Sequence, residues 1–153
     1  MVTATKTSLP EVGELGMLRE MVGFNLRLAY NQATQLFARA FDDLDLAPIQ
    51  FAALEFISRN PGTSQKDIAR HIGTTPPVLV GPLERLERRD WIVRSRGTTD
   101  RRRARVQLTP AGERIMRDVE ERVRRVDSEL SSRLTARERD RLLTLLRKLS
   151  GTP

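Results

Sequence analysis

Residues 63–109 have the sequence TSQKDIARHIGTTPPVLVGPLERLERRDWIVRSRGTTDRRRARVQLT, which contains the clearest signals of secondary structure in the chain. Ser64, with an acidic residue three positions later, is typical of a helix start. Gly73 suits a helix end because glycine tolerates a positive φ. Thr75 and Pro76 then begin a second helix, with leucines on one face at every third or fourth position. Two short helices joined by a tight turn predict a helix-turn-helix.

The second half of this stretch predicts a β-hairpin. Apolar side chains cluster in residues 91–94 and alternate with polar ones in residues 104–108, as in short strands. The loop between them is rich in glycine, serine and threonine. A hairpin directly after a helix-turn-helix makes a winged helix-turn-helix.

Long amphipathic helices are predicted on both sides of this unit. Residues 14–44 are expected to form one helix with two apolar faces. Residues 110–134 carry a narrow apolar stripe, and Thr135 with Glu138 begins a terminal helix. One short chain cannot cover all of these faces, so a homodimer is expected. The predicted fold is mainly α with a small β-hairpin, in which dimerisation helices flank the winged unit at both chain ends.

Basic charge is concentrated in the middle of the chain. Residues 61–109 hold eleven basic and five acidic side chains, against five and seven in residues 1–60 and eleven and eight in residues 110–153. A dense basic patch beside a helix-turn-helix favours double-stranded DNA as the partner, and a solvated arginine-rich loop is the alternative. The patch lacks the apolar face that binding to a membrane surface requires.

The chain accordingly divides into four predicted parts. These are a flexible tail (1–13), the N-terminal helix of the dimerisation region (14–46), the winged helix-turn-helix DNA-binding domain (47–109) and the C-terminal dimerisation helices (110–150).

The composition of the chain argues against a membrane or secreted protein, a thiol or metal sensor, and an enzyme. The first residues lack the apolar core of a secretory signal, and no apolar run approaches the ~20 residues of a membrane span, so a cytoplasmic protein with no membrane partner is expected. There is no cysteine and His71 is the one histidine. Thiol sensing and a nitrogen-rich metal site therefore lack their ligands. Without a glycine-rich phosphate loop or a cysteine nucleophile, neither an enzyme nor a bound cofactor is expected.

Three motifs in fixed order resemble the MarR (multiple antibiotic resistance regulator) family of transcriptional regulators. They are SQKDIA at residues 64–69, LERLE at 83–87 before Trp91, and DRR at 100–102 followed by LTPAG at 108–112. The order of the helices outside the motifs is also similar, from about residue 15 to 149. The resemblance implies a triangular dimer in which the first helix and the last two helices of both chains interlock.

The resemblance also implies which residues bind DNA. The helix after the turn would enter the major groove, and the hairpin tip would place Arg101 or Arg102 in an adjacent minor groove, with Asp100 orienting the wing through Arg102. Arg103 and Arg105 are expected to contact phosphates. The candidate contacts are Thr74, Thr75, Pro77, Val78, Arg85 and Arg88 in the helix, and Arg96, Asp100, Arg101, Arg102, Arg103 and Arg105 in the wing.

The sequence departs from the family inside the recognition helix. Val80, Gly81 and Pro82 stand where many members have a polar residue and an arginine followed by leucine. An interior proline removes a hydrogen bond and can kink a helix, at a cost of ~3 kcal/mol. Pro77 and Val78 could touch thymine methyl groups. Arg85 could contact DNA or pair with Asp90 in its own helix.

Since the chain lacks the ligands for thiol and metal sensing, a small organic effector is expected to control DNA binding. Phe24, Asn25, Tyr30 and Phe51 combine apolar surface with a few polar tips, as a pocket for an aromatic acid or a coenzyme A thioester requires, although these aromatics could instead belong to the core. Arg27 could meet an anionic group.

The sequence thus predicts a repressor that a small ligand releases from a pseudo-palindromic operator. The alternative is a dimeric winged-helix adaptor that binds proteins and recognises little DNA sequence. Gly81 and Pro82 motivate that alternative.

Overall fold

The computed structural model describes residues 15–96 and 104–151, apart from the side chains at 96 and 104. The predicted tail (1–13) lies outside this range. The structure confirms a mainly helical fold with a small sheet, and no described helix is both long and apolar enough to cross a bilayer. In chain order the elements are a 3-10 turn (Gly16–Glu20), α1 (Val22–Ala40), a second 3-10 turn (Asp42–Leu44), α2 (Pro48–Arg59), β1 (Thr63–Ser64), α3 (Gln65–His71), α4 (Pro76–Arg88), β2 (Ile92–Arg96), β3 (Ala104–Leu108), α5 (Pro110–Leu130) and α6 (Ala136–Ser150).

The first helical region is interrupted, so the prediction of one helix over residues 14–44 is wrong. The 3-10 turn Gly16–Glu20 is followed by Met21, whose ψ of 118° is extended, and α1 begins only after it. The Asn25 side chain donates hydrogen bonds of 2.9 Å to the carbonyl oxygens of Arg19 and Met21. A side-chain amide thus satisfies backbone acceptors at the break, which favours the interruption over a continuous helix. The second 3-10 turn follows the other end of α1.

Side-chain caps define the helix boundaries in the winged unit. Ser64 Oγ accepts a hydrogen bond of 3.1 Å from the backbone N–H of Asp67 at the start of α3, and Gly73 follows the end of α3 with φ at 74°. Thr109 Oγ1 accepts one of 3.0 Å from the N–H of Gly112 at the start of α5. The predicted capping box also begins α6. These boundaries confirm the local sequence prediction.

The wing belongs to a three-stranded antiparallel sheet in the order β1-β3-β2. Strand β2 pairs with β3 along its whole length, with Ile92 opposite Leu108, which confirms the predicted hairpin. Strand β1 pairs with β3 on the other side, with Thr63 opposite Val106. The sequence did not predict β1, because a two-residue strand is too short to show alternation.

One core lies beneath the helix-turn-helix and the wing. Leu79, Leu83 and Leu86 of α4 are fully buried and form one face of that helix. Pro82 lies on the same buried side, and α4 is assigned as helix on both sides of it. The buried apolar residues of the core are Phe37, Phe41, Leu46, Ala53, Leu54, Ile57, Ile68, Ala69, Leu79, Leu83, Leu86, Ile92, Val106 and Val119.

The two ends of the described chain keep large apolar side chains in solvent. Helix α6 contains no buried residue among those described. A groove of about 850 Å³ runs between α1 and α6. Its apolar lining residues are Val22, Leu26, Ala29, Leu142, Leu145, Leu146 and Leu149.

Gly112 tests the junction between the wing and α5. A Cβ at this buried position would lie 1.9 Å from the carbonyl oxygen of Trp91, a backbone atom that cannot move cheaply. We expect Gly112→Ala to lower the free energy of unfolding by about 1–3 kcal/mol or more, as overpacking does. Denaturant titration followed by circular dichroism measures this value.

Gly81→Ala is the matched control. Gly81 is also helical, and apart from its chain neighbours and its own helix backbone no described atom would lie within 4 Å of its added Cβ. Alanine there should stabilise the protein by about 0.5–1 kcal/mol. Equal effects of the two substitutions would contradict the packing argument.

Candidate nucleic-acid interface

Helix α4 presents an exposed face opposite its buried leucines. Thr75, Pro77 and Val78 are exposed in its first turns, with Val78 56% exposed, whereas Thr74 before them is half-buried. Thr75 occupies the predicted cap position, but its side chain makes no cap hydrogen bond. No described residue pairs with its hydroxyl, which can therefore contact another partner. Because the first exposed turns of a recognition helix meet base edges, this surface can approach a major groove.

The basic candidates lie further along the same exposed surface. Arg85 and Arg88 are both exposed, and neither forms an ion pair with a residue that the structure describes. The proposed pairing of Arg85 with Asp90 is therefore absent from the described contacts. Pro82 is buried, so it does not occupy the exposed surface. Between Thr75 and Arg85 on this side of α4, helical spacing places Val78, which is exposed, and Gly81, which is half-buried, and neither side chain has a hydrogen-bond donor.

Polar contacts fix α3 relative to α4. Gln65 Nε2 donates a hydrogen bond of 3.0 Å to the carbonyl oxygen of Pro76, across the turn. The backbone N–H of Thr74 donates one of 2.9 Å to the carbonyl oxygen of Ala69. The sequence does not predict this role of Gln65, because a side chain that bridges two helices leaves no periodic pattern. These bonds present α4 in a fixed orientation.

The wing meets the helix-turn-helix through charged side chains at its base. Arg94 of β2 forms an ion pair of 3.2 Å with Glu87 of α4. Arg105 of β3 is exposed and donates a hydrogen bond of 3.2 Å to the carbonyl oxygen of Gly62. Arg105 is thus held at the base of the wing. Its other N–H groups have no hydrogen-bond partner within the described part of the chain and can contact a phosphate. Asp100, Arg101, Arg102, Arg103 and the Arg96 side chain lie outside the described residues.

The five candidate effector residues do not surround one cavity. Phe51 lines a cavity of about 380 Å³ between α2 and α5, and Tyr30 lines a separate one of about 200 Å³ between α1, α2 and α5. Asn25 lines the groove between α1 and α6. Arg27 places its guanidinium 5.2 Å from the centre of the Phe24 ring, and neither residue lines these cavities. The 100° step between successive helical residues separates side chains that are near in sequence.

The His71 ring contacts two other residues of the described chain. Its ring stacks on Phe56 with the centroids 4.9 Å apart, and its Nδ1 lies 2.8 Å from the carbonyl oxygen of Asp67. Within residues 15–96 and 104–151, no group of three or more histidine, aspartate or glutamate side chains could hold a metal ion.

Comparisons with known proteins agree with this geometry. Residues 44–103 match the model of the MarR family. A Thauera aromatica protein named as a transcriptional regulatory protein for the hcr operon is 33% identical over 135 residues, which cover 88% of this chain and 81% of that protein. The chain belongs to the MarR family.

Solved MarR-family structures share the fold over nearly the whole chain. The transcriptional repressor CouR bound to a 23-mer DNA duplex has a TM-score of 0.84 and 31% identity, covering 91% of this chain and 99% of CouR. CouR bound to p-coumaroyl-CoA gives 0.81 and 29%, covering 90% and 96%. BpsR of Bordetella bronchiseptica, whose DNA binding is regulated by 6-hydroxynicotinic acid, gives 0.82 and 28%, covering 88% and 96%.

These matches assign the general activity. Members of the MarR family are transcriptional regulators rather than enzymes, and the described fold carries the winged helix-turn-helix that such regulators use. The protein is therefore a MarR-family DNA-binding transcriptional regulator.

How much the wing and α4 each contribute to the DNA affinity of this MarR-family protein stays a prediction. Because neither Val78 nor Gly81 provides a side-chain donor, we expect operator affinity to depend on Arg101 and Arg102 more than on Arg85. Each groove-binding arginine should contribute roughly 1–3 kcal/mol. Fluorescence anisotropy at fixed salt, with single alanine variants, measures the differences.

Asp100→Ala tests whether net positive charge alone determines the DNA affinity. Losing this carboxylate should weaken binding despite the gain in net positive charge, because a charge-assisted pair would orient Arg102. Tighter binding of Asp100→Ala, together with loss of binding in Arg85→Ala alone, would show that the helix dominates recognition.

Proposed function

We propose that two copies of the chain join through α1 and α6 into a repressor of a pseudo-palindromic operator, which a small organic ligand releases. Because its partner would be genomic DNA, the same proposal places the protein in the cytoplasm. The observation that supports a dimer is the apolar groove between α1 and α6, which the described chain leaves open.

The exposed side chains along this groove favour a second copy of the chain. Val22 and Leu149 are each 60% exposed and Leu145 is 52% exposed. A soluble monomer rarely keeps so continuous an apolar surface in water. A twofold interface would bury this surface on both chains at once, because each copy offers the same patch to the other.

Twofold symmetry connects this interface to the operator. Two equivalent α4 helices on one face of B-DNA would meet half-sites whose centres lie about one helical turn, roughly 10–10.5 base pairs, apart. The similarity to CouR on a 23-mer duplex supports DNA as the partner, since that length holds two such half-sites.

Two neighbouring cavities support control by a ligand. Val123 lines both the cavity between α2 and α5 and the cavity between α1, α2 and α5. Phe51 and Met116 give the first an apolar wall, and Arg117 stands at its exposed edge. An aromatic carboxylate or an acyl thioester could place its ring on that wall and its anionic group near Arg117. The ligands named for BpsR and CouR have this chemistry.

Charge placed in the groove tests the proposed function. The double variant Leu145→Glu and Leu149→Glu should reduce the mass in sedimentation from about twice 17.4 kDa to one chain, because the carboxylates would be buried without partners. Operator affinity should fall by roughly 10²-fold or more, the gain that linking two binding modules supplies.

Thr144→Glu is the matched control, because Thr144 is an exposed residue of the same helix and does not line the groove. This variant should keep both the mass and the affinity. A wild-type protein that sediments as one chain at micromolar concentration would contradict the proposal.

Ligand control has its own test. We expect 6-hydroxynicotinic acid, p-coumaroyl-CoA or a related compound to raise the melting temperature and release operator DNA. Arg117→Ala should weaken that binding roughly 10-fold, about one charged hydrogen bond, whereas Arg114→Ala, exposed on the same helix but not lining the cavity, should not. Flat thermal shifts across such a panel, with DNA release by zinc or peroxide instead, would contradict the effector proposal.

A further inference from the structure

Residues 42–45 form an acidic turn between α1 and α2, with the sequence DDLD. The 3-10 turn Asp42–Leu44 is followed by Asp45, whose φ of 42° lies in the left-handed region. A non-glycine residue there is uncommon and marks a backbone held by its surroundings. The sequence alone explains these carboxylates as solvated charges at a helix end, whereas the structure gives two of them partners on different elements.

Helix α5 holds the turn from one side. Arg122 Nη1 donates to both carboxylate oxygens of Asp43, at 2.7 and 3.0 Å, and lies 3.4 Å from the carbonyl oxygen of Ala40. Its guanidinium also lies 5.9 Å from the centre of the buried Phe41 ring. The hydrogen bond from Arg122 holds the pKa of the Asp43 carboxyl below its usual range. One arginine thus contacts the end of α1 and the turn that follows it.

The recognition helix holds the turn from the other side. Arg89, the residue that caps the end of α4, donates hydrogen bonds of 2.6 Å to the carbonyl oxygen of Leu44 and 3.1 Å to Asp45 Oδ2. Its guanidinium lies 5.0 Å from the centre of the Trp91 ring, at the entrance to the wing. These contacts fix Arg89 in one position between α4, the wing and the turn.

From these contacts we infer that the acidic turn is a rigid link that sets the orientation of α4 relative to α1 and α5. Arg89 and Arg122 are its two positioning residues. The inference rests on the proposed dimer, in which α1 and α5 would be fixed with respect to the twofold axis. The distance between the two recognition helices, and hence the operator spacing that the dimer accepts, then depends on this link.

The solvent exposure of these ion pairs indicates that they orient α4 rather than stabilise the fold. Arg122 and Asp43 are 37% and 59% exposed, and Asp45 is 87% exposed. Ion pairs that solvent reaches contribute little to the free energy of unfolding. Their value lies in geometry, because each arginine also binds a backbone carbonyl of residues 40–44 and so fixes the chain itself.

Operators of varied spacing test the inference. Duplexes would carry two copies of a selected half-site, with the centre-to-centre distance changed in single base-pair steps. The wild-type dimer should prefer one spacing sharply. Arg89→Gln and Arg122→Gln should each bind the best spacing roughly 10-fold more weakly, about the effect of one charged hydrogen bond, and should lose much of the preference between spacings.

Two further variants make the result specific. Arg125 lies on α5, as Arg122 does, and is the exposed partner of Glu121. Arg125→Gln should therefore leave the spacing preference unchanged. Asp43→Arg combined with Arg122→Asp re-forms the pair with opposite polarity and should restore part of the preference. Circular dichroism melts of all variants show that each is folded.

The outcomes separate this inference from the proposed function. Variants that weaken binding equally at every spacing, or only lower the melting temperature, would overturn the positioning role and leave the dimeric repressor in place. A wild-type protein without any spacing preference would overturn both.

Discussion

The apolar surface that α1 and α6 leave uncovered is the strongest physical constraint on this protein. Helix α6 buries none of its described residues, yet Leu142, Leu145 and Leu149 recur along one side of it. Leaving that side in water forfeits roughly 25 cal/mol for each Å² of apolar surface that a partner would bury. A second copy of the chain, as proposed, would satisfy this constraint and would at the same time give the protein the twofold symmetry that a palindromic DNA site requires.

The winged unit satisfies its own constraints within one chain. Its leucine-lined α4 packs on a closed core, and the junction near Gly112 joins the wing to α5 so closely that no side chain fits. Thr109 links the same junction, because its hydroxyl donates to the carbonyl oxygen of Asp90 and accepts from the N–H of Gly112. The wing and α5 thus meet through short, fixed connections. The proposed regulator would need such connections if binding at one site is to affect another.

Local sequence predicted the parts of the fold that local chemistry controls. Ser64 and Thr109 mark helix boundaries through hydrogen bonds within three residues, and Gly73 marks one through its positive φ. The helix-turn-helix and the strands of the wing could therefore be predicted directly. The break at Met21 and the short strand β1 depend on contacts that no periodic pattern records. The pairs Arg122–Asp43 and Arg89–Asp45 join residues 79 and 44 positions apart, and the effector candidates were grouped by composition rather than by helical face.

We propose that the DNA-binding unit is a pair of chains joined through α1 and α6. Native mass spectrometry of the protein titrated onto a short selected operator measures how many chains bind each duplex. We expect a single bound species whose mass is that of the duplex plus twice 17.4 kDa, present even when DNA is in excess. A duplex that carries one chain as its main bound species, with a second added only at higher protein concentration, would contradict this proposal.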